Sequence, residues 1–117
     1  AHYESYYHGF LSGVLGTVCG SDLTLTSNTE SGCGYSDIIL KRESDMAAVI
    51  LELKKSTEGR IATMKKDCQE AIAQINSMQY DFSIRQEGYS IRKYGIAFWN
   101  KRCEILTDDS DAASPGS

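Results

Sequence analysis

The chain has 117 residues, of which 41% are hydrophobic and 24% charged, and its formal net charge is −4. These values predict one globular domain around a single core, and they exclude a disordered or membrane-embedded chain. The acidic balance also argues against a surface that binds nucleic acid through charge alone, because such surfaces are usually basic.

The first half of the chain contains one predicted helix and three predicted strands. Apolar residues recur every three or four positions over 2–18, which predicts an amphipathic helix. An alternating strand follows over 23–27, and the two glycines in 28–34 indicate a turn. Apolar runs predict strands over 35–41 and 47–54. Because the charged connection between these two strands is short, we expect an antiparallel hairpin.

The second half predicts one long helix and two strands. The helix covers about 58–78 and carries a continuous apolar stripe. A polar connection, a strand over 94–99, a turn and a short strand over 102–106 follow. Since a crossover through a helix joins parallel strands, we predict an α/β fold with a mixed central sheet flanked by helices. We expect the domain to cover 1–107, with a disordered acidic tail over 108–117.

The spacing of the cysteines and the length of the apolar runs exclude further classes of protein. Cys19, Cys33, Cys68 and Cys103 form no CxxC pair and no cluster with zinc-ligand spacing. We therefore expect reduced thiols that pack as small hydrophobic groups, and we set aside a redox or zinc protein. No apolar run approaches the roughly 20 residues that cross a bilayer, and no secretory signal is seen, so we expect a cytoplasmic protein without a membrane segment.

Three charged residues at the predicted hairpin could carry chemistry. Glu52 and Lys54 share one face at the end of an apolar strand, and the hairpin brings Asp37 beside Glu52. Such charges are costly to bury unless they are paired or bind a cation, and two carboxylates suit Mg²⁺. The alternative is a surface ion pair between Glu52 and Lys54, which is the commoner meaning of an isolated ExK sequence.

Five stretches of this chain match the motifs of a known family. They read ESYYHGFL, SNTESGCGYSDI, LELK, AIAQI and YGIAF, at residues 4–11, 27–38, 51–54, 71–75 and 94–98. In these stretches the chain resembles the PD-(D/E)XK nuclease superfamily, and specifically the bacterial branch found as a C-terminal domain behind an AAA-ATPase-like domain. The resemblance implies a restriction-endonuclease-like core of helix, three antiparallel strands, helix and strand, the order that periodicity also predicts.

The resemblance implies a role for each matching residue. Asp37 and Glu52 would be metal ligands, and Lys54 would be the catalytic lysine. Glu4 of the first helix would support the metal or its water, and Gln74 would be a polar residue near the site. The implied cofactor is Mg²⁺ or Mn²⁺. The implied activity is hydrolysis of DNA phosphodiester bonds by a metal-activated water, with RNA left open as a substrate.

Partners and an alternative function remain open at this point. Lys41, Lys55 and Arg60 lie near the site in sequence and could contact phosphates, although such charges often serve only to solvate a surface. Dimers are common among nucleases of this fold, so a homodimer and a monomer are both left as alternatives. The chain looks like part of a larger protein. The alternative function is a catalytically inactive module of the same fold that binds nucleic acid or a protein partner.

Overall fold

The computed structural model describes residues 22–30, 35–78 and 80–108. These residues form five strands and two helices in the order β1 (Leu23–Glu30), β2 (Tyr35–Arg42), β3 (Ala47–Lys55), α1 (Ile61–Met78), α2 (Tyr80–Gln86), β4 (Ser90–Trp99) and β5 (Arg102–Asp108). The predicted first helix, with Glu4, lies outside the described residues, as do Cys19 and Cys33.

The five strands form one mixed sheet in the order β1-β2-β3-β4-β5. Strand β2 is antiparallel to β1 and to β3, whereas β4 runs parallel to β3 and antiparallel to β5. The single parallel step is the one bridged by α1 and α2, as expected when a helical crossover joins parallel neighbours. The predicted α/β class, the β2–β3 hairpin and the mixed sheet are therefore confirmed.

The structure corrects several predicted boundaries, and one of them is the start of α1, which is Ile61 rather than about residue 58. Strand β1 extends into the predicted turn as far as Glu30, because residues 28–30 pair with residues 35–37 of β2. Strand β4 begins at Ser90 rather than at residue 94. Strand β5 ends at Asp108, one residue into the predicted tail.

A second helix replaces part of the predicted polar connection. Helix α2 is short, with Asp81 in its first turn and Arg85 in its last. It adds Ile84 to a core cluster that also contains Ile50, Ile75 and Ile91. Neither α1 nor α2, the two helices in the part described, is both long and apolar enough to cross a membrane.

The sheet has two buried faces. One face carries Ile50, Glu52 and Lys54 of β3 and is called the helix face here, because α1 packs on it. The predicted apolar stripe of α1 is buried at Met64, Cys68, Ala71, Ile72 and Ile75, whereas Ile61 at the start of the helix is 49% exposed. The opposite face has its own core cluster of Ile38, Leu53 and Phe98. The candidate chemistry thus lies between the sheet and α1.

Candidate active site

Asp37 and Glu52 lie directly opposite each other on β2 and β3. Cross-strand neighbours of this kind have β-carbons about 5 Å apart, so the two carboxyl groups converge on the helix face. Both side chains are buried, with 4% of Asp37 and 3% of Glu52 exposed. The structure therefore brings together the two acidic residues that the hairpin predicts as neighbours.

The buried carboxylates lack the full set of donors that burial normally demands. Oδ1 of Asp37 is enclosed and accepts no hydrogen bond within the described part of the chain. Oε1 of Glu52 is enclosed as well, although this carboxylate has other contacts. A buried carboxylate oxygen without a donor costs free energy that a cation would recover. The pair is thus suited to an ion with oxygen ligands.

Lys54 follows Glu52 by two residues on the same face, and its ammonium contacts the acidic side of α1. Nζ of Lys54 donates a hydrogen bond to Oε1 of Glu70 and lies 3.4 Å from Oδ1 of Asp67. The side chain is 21% exposed. Lys54 is thus held by two acids of the helix, two residues after Glu52 on the same face of β3.

Asp67 is a site residue that the sequence analysis missed, since acidic residues on an amphipathic helix normally face solvent. It is only 9% exposed and accepts a 2.6 Å hydrogen bond from Oγ of Ser56. The available signal was its spacing, because Asp67 lies three residues after Met64 and four before Ala71 in the apolar stripe. Ser56 gave no comparable signal.

The family comparison agrees with this geometry. The model of the PD-(D/E)XK nuclease superfamily matches residues 2–108, which is nearly the whole chain. The chain belongs to the PD-(D/E)XK nuclease superfamily. Searches of curated proteins and of solved structures find no match. The five-stranded mixed sheet with its helices is the restriction-endonuclease-like fold of this superfamily, and the domain is of the nuclease type.

Gln74 lies farther along the same helix of this nuclease-fold domain. It is half-buried and follows Glu70 by four residues, which places both on one side of α1. Its backbone carbonyl accepts a hydrogen bond from Oγ of Ser77. Gln74 is therefore on the side of α1 that holds Lys54, one helical turn beyond Glu70.

The three cations predicted to contact nucleic acid are not gathered at the carboxylates. Lys41 is four residues from Asp37, about 13 Å along β2. Its ammonium lies 3.1 Å from Glu87 and 5.5 Å from the centre of the Tyr89 ring. Lys55 follows Lys54 and so lies on the opposite face of the sheet. Arg60 is exposed and pairs at 3.8 Å with a neighbouring acid, Glu58.

The metal ion implied by the superfamily fits the two sheet carboxylates. Within residues 22–30, 35–78 and 80–108, no group of three or more His, Cys, Asp or Glu side chains could hold a metal. Mg²⁺ keeps several waters and is commonly bound by one or two carboxylates together with substrate phosphate. Asp37 and Glu52 meet this smaller requirement, and the enclosed Oδ1 of Asp37 provides an acceptor.

A second buried charge cluster stands on the helix face, where Lys93 of β4 pairs with Ile50, two residues before Glu52. Lys93 of β4 is 6% exposed, and its Nζ donates 2.8 Å hydrogen bonds to Oδ2 of Asp81 and Oδ1 of Asn76. Burial raises the pKa of Asp81, but the hydrogen bond and charge of Lys93, together with the charge of Arg85, act in the opposite direction, and the pKa lies below its ordinary value. This cluster ties α2 and α1 to β4.

Proposed function

We propose that this domain is a metal-dependent nuclease that hydrolyses DNA phosphodiester bonds at Asp37, Glu52 and Lys54. The observation that supports this proposal most strongly is the pair of buried carboxylates facing each other across two strands, with an ammonium on the same face. Burying two like charges is unfavourable unless a cation or proton is shared between them. A structural role alone does not account for that cost.

Asp37 and Glu52 would hold Mg²⁺ or Mn²⁺, with Glu4 as a third acidic group near the ion or its water. Such an ion, when bound, lowers the pKa of water and stabilises negative charge on a phosphate. The two carboxylates also accept hydrogen bonds from water and thereby orient it toward the substrate. Gln74 can donate to or accept from a further water at the same edge of α1.

Lys54 supplies positive charge where the substrate phosphate would approach. Its ammonium can donate to a non-bridging phosphate oxygen and offset the charge that develops during attack. Water attacks phosphorus, one P–O bond breaks, and the strand is left with one phosphate end and one hydroxyl end. Asp37 and Glu52 are buried, which limits bulk water around them and strengthens their electrostatic interactions.

The wider context of the domain is part of the same proposal. Lys41, Lys55 and Arg60 would contact backbone phosphates away from the reaction centre, which positions a strand without reading its sequence. We propose a cytoplasmic location, a parent protein with an AAA-ATPase-like domain ahead of this one, and a homodimer as the form that cuts both strands. RNA is the competing substrate.

The deciding experiment combines substrates and metals. Linear, circular and single-stranded DNA and RNA are incubated with Mg²⁺, Mn²⁺ or EDTA and with the wild-type chain, Glu52→Gln or Lys54→Ala. We expect metal-dependent cleavage of DNA that both variants lose. Cleavage of the circle identifies an endonuclease, since an exonuclease needs an end.

Asp45→Asn is the matched control. This change also converts an acid to its amide, but Asp45 lies in the exposed β2–β3 turn, where its carboxylate is bound by Arg42. The control should cleave at the wild-type rate. A folded wild-type chain that cuts no substrate and binds no metal would contradict the proposal and favour an inactive module that binds nucleic acid or protein.

A further inference from the structure

The acidic side of α1 holds Lys54 with two carboxylates that differ in how firmly they are fixed. Asp67 is enclosed, and its Oδ2 accepts the 2.6 Å hydrogen bond from Ser56, while its Oδ1 lies 3.4 Å from Nζ of Lys54. Glu70 reaches the same ammonium, but its side chain is 43% exposed. Asp67 is thus held by contacts at both of its carboxylate oxygens, whereas the Glu70 side chain is more exposed.

Ser56, directly after the end of β3, is the residue that holds Asp67 in place. Ser56 follows Lys54 by two residues and is 1% exposed, and its backbone N–H donates 2.8 Å to the carbonyl of Phe98 on β4. Its hydroxyl is therefore fixed relative to the strand that carries Lys54. The Ser56 hydroxyl orients the Asp67 carboxylate, and this carboxylate orients the Lys54 ammonium. The contacts therefore link Ser56 to Lys54 at the end of β3 through one residue of α1.

We infer that Asp67, oriented by Ser56, is a positioning residue that holds the Lys54 ammonium at the reaction centre. Glu70 is the exchangeable partner, whose exposed side chain gives way when a substrate phosphate takes its place beside Lys54. This inference rests on the proposed function, because it assigns how the lysine of that site is held. A misplacement of about 1 Å at a reacting group can cost about 100-fold in rate.

The two acids should therefore affect different kinetic constants. Asp67→Asn keeps the shape of the side chain but removes its charge, so we expect kcat to fall about 10- to 100-fold with KM nearly unchanged. Glu70→Gln removes a charge that competes with phosphate for Lys54, so we expect KM to fall. Ser56→Ala should lower kcat less than Asp67→Asn. The Ser56→Ala/Asp67→Asn double variant should be no worse than Asp67→Asn alone, because Ser56 acts through Asp67.

Asp81→Asn is the control for a purely structural role. Asp81 also pairs with a largely buried lysine on the helix face, at 2.8 Å from Lys93. Its loss should reduce stability in a comparable way without changing kcat per folded molecule. The folded fraction of each variant is measured by urea unfolding, and rates are corrected for it.

A second readout does not depend on activity. The side-chain ammonium and ε-methylene signals of Lys54 are followed by NMR and assigned by their loss in Lys54→Arg. We expect these signals to shift in Asp67→Asn and in Ser56→Ala but not in Asp81→Asn. An unmoved Lys54 signal in Asp67→Asn, or an unchanged kcat per folded molecule, overturns the inference. A wild-type chain that is inactive on every substrate contradicts the proposed function instead, and the Lys54 signal then still decides whether Asp67 holds the ammonium.

Discussion

A β-carbon on Gly95 would lie 2.2 Å from the backbone carbonyl oxygen of Cys68, closer than real β-carbon contacts come. The backbone of α1 therefore packs on β4 at a point where no side chain fits. Gly95 is also the β4 partner of Glu52 in the parallel register. This close approach sets the distance between α1, which carries Asp67, and the sheet, whose neighbouring strand β3 carries Glu52 and Lys54.

Gly95→Ala is expected to lower both stability and activity. The added methyl group must push α1 away from the sheet, because its nearest neighbour is backbone rather than a flexible side chain, and such overpacking costs about 3 kcal/mol. The displacement also moves Asp67 away from Lys54. Urea unfolding gives the free energy, and cleavage corrected for folded fraction gives kcat.

The control for this change is Ala73→Gly on the exposed side of α1. It should cost about 1 kcal/mol through helix propensity while leaving kcat per folded molecule intact. Wild-type stability and activity in Gly95→Ala would show that α1 does not pack on this strand as described.

Asp37→Asn is expected to stabilise the chain in EDTA, by about 1 kcal/mol, because it removes one of two buried like charges that face each other. Added Mn²⁺ should raise the free energy of unfolding of the wild type, by about 2.7 kcal/mol at 100 times the Kd, but not that of the variant. Urea unfolding with and without metal measures both effects. Equal stabilisation of wild type and variant by Mn²⁺ would refute the role of Asp37 in metal binding.

The fold and the pairing of the two acids could be predicted because both depend on local pattern. The alternation of β2 and β3 and the short turn between them fix the register, and the register places Asp37 beside Glu52. The start of β4 was not predicted, because Arg92 and Lys93 interrupt its apolar run. Lys93 is buried only because Asp81 and Asn76, which precede β4 in the chain, supply its acceptors.

The contacts of Lys54 with Asp67 and Glu70 could not be predicted either, because they also join segments that are distant in the sequence. Asp67 and Glu70 occur in a charged stretch of α1 that also contains Lys65 and Lys66, and such stretches usually face solvent. The contact with Lys54 arises only when α1 docks on the sheet at Gly95. Pairings between distant segments leave no periodic trace in either segment.

Asp81→Asn is expected to reduce stability in a way that depends on pH. The pKa of Asp81 lies below its ordinary value of 3.8 in the folded chain, chiefly through Lys93 acting against burial. A lowered carboxyl pKa adds stability above the unfolded pKa, and this contribution is lost as the pH falls through the folded pKa.

The cost of Asp81→Asn should be about 2 kcal/mol at neutral pH, as for a hydrogen bond between charged groups, and should shrink below about pH 4. Urea unfolding of wild type and variant across the acid range measures the difference. A cost that stays constant throughout that range would contradict the assignment of this pair.

The two described cysteines are expected to differ in alkylation. Burial raises the pKa of the Cys68 thiol, and Cys68 is fully enclosed on the side of α1 that faces the sheet. Cys103 is exposed on β5, although partial burial of its sulfur also raises its pKa. Because the thiolate is the reactive form and must be reached, iodoacetamide should label Cys103 well before Cys68 in the native chain. Peptide mapping by mass spectrometry reads both sites, and equal rates would contradict the packing of Cys68.

The most direct test of the central claim is the rate at which Glu52→Gln cleaves DNA relative to the wild type, at saturating Mn²⁺ and with Asp45→Asn alongside. If the buried carboxylate pair is the reaction centre, Glu52→Gln should lose at least about 100-fold in rate while Asp45→Asn keeps the wild-type rate. A folded Glu52→Gln variant that cleaves as fast as the wild type would contradict the assignment of the active site.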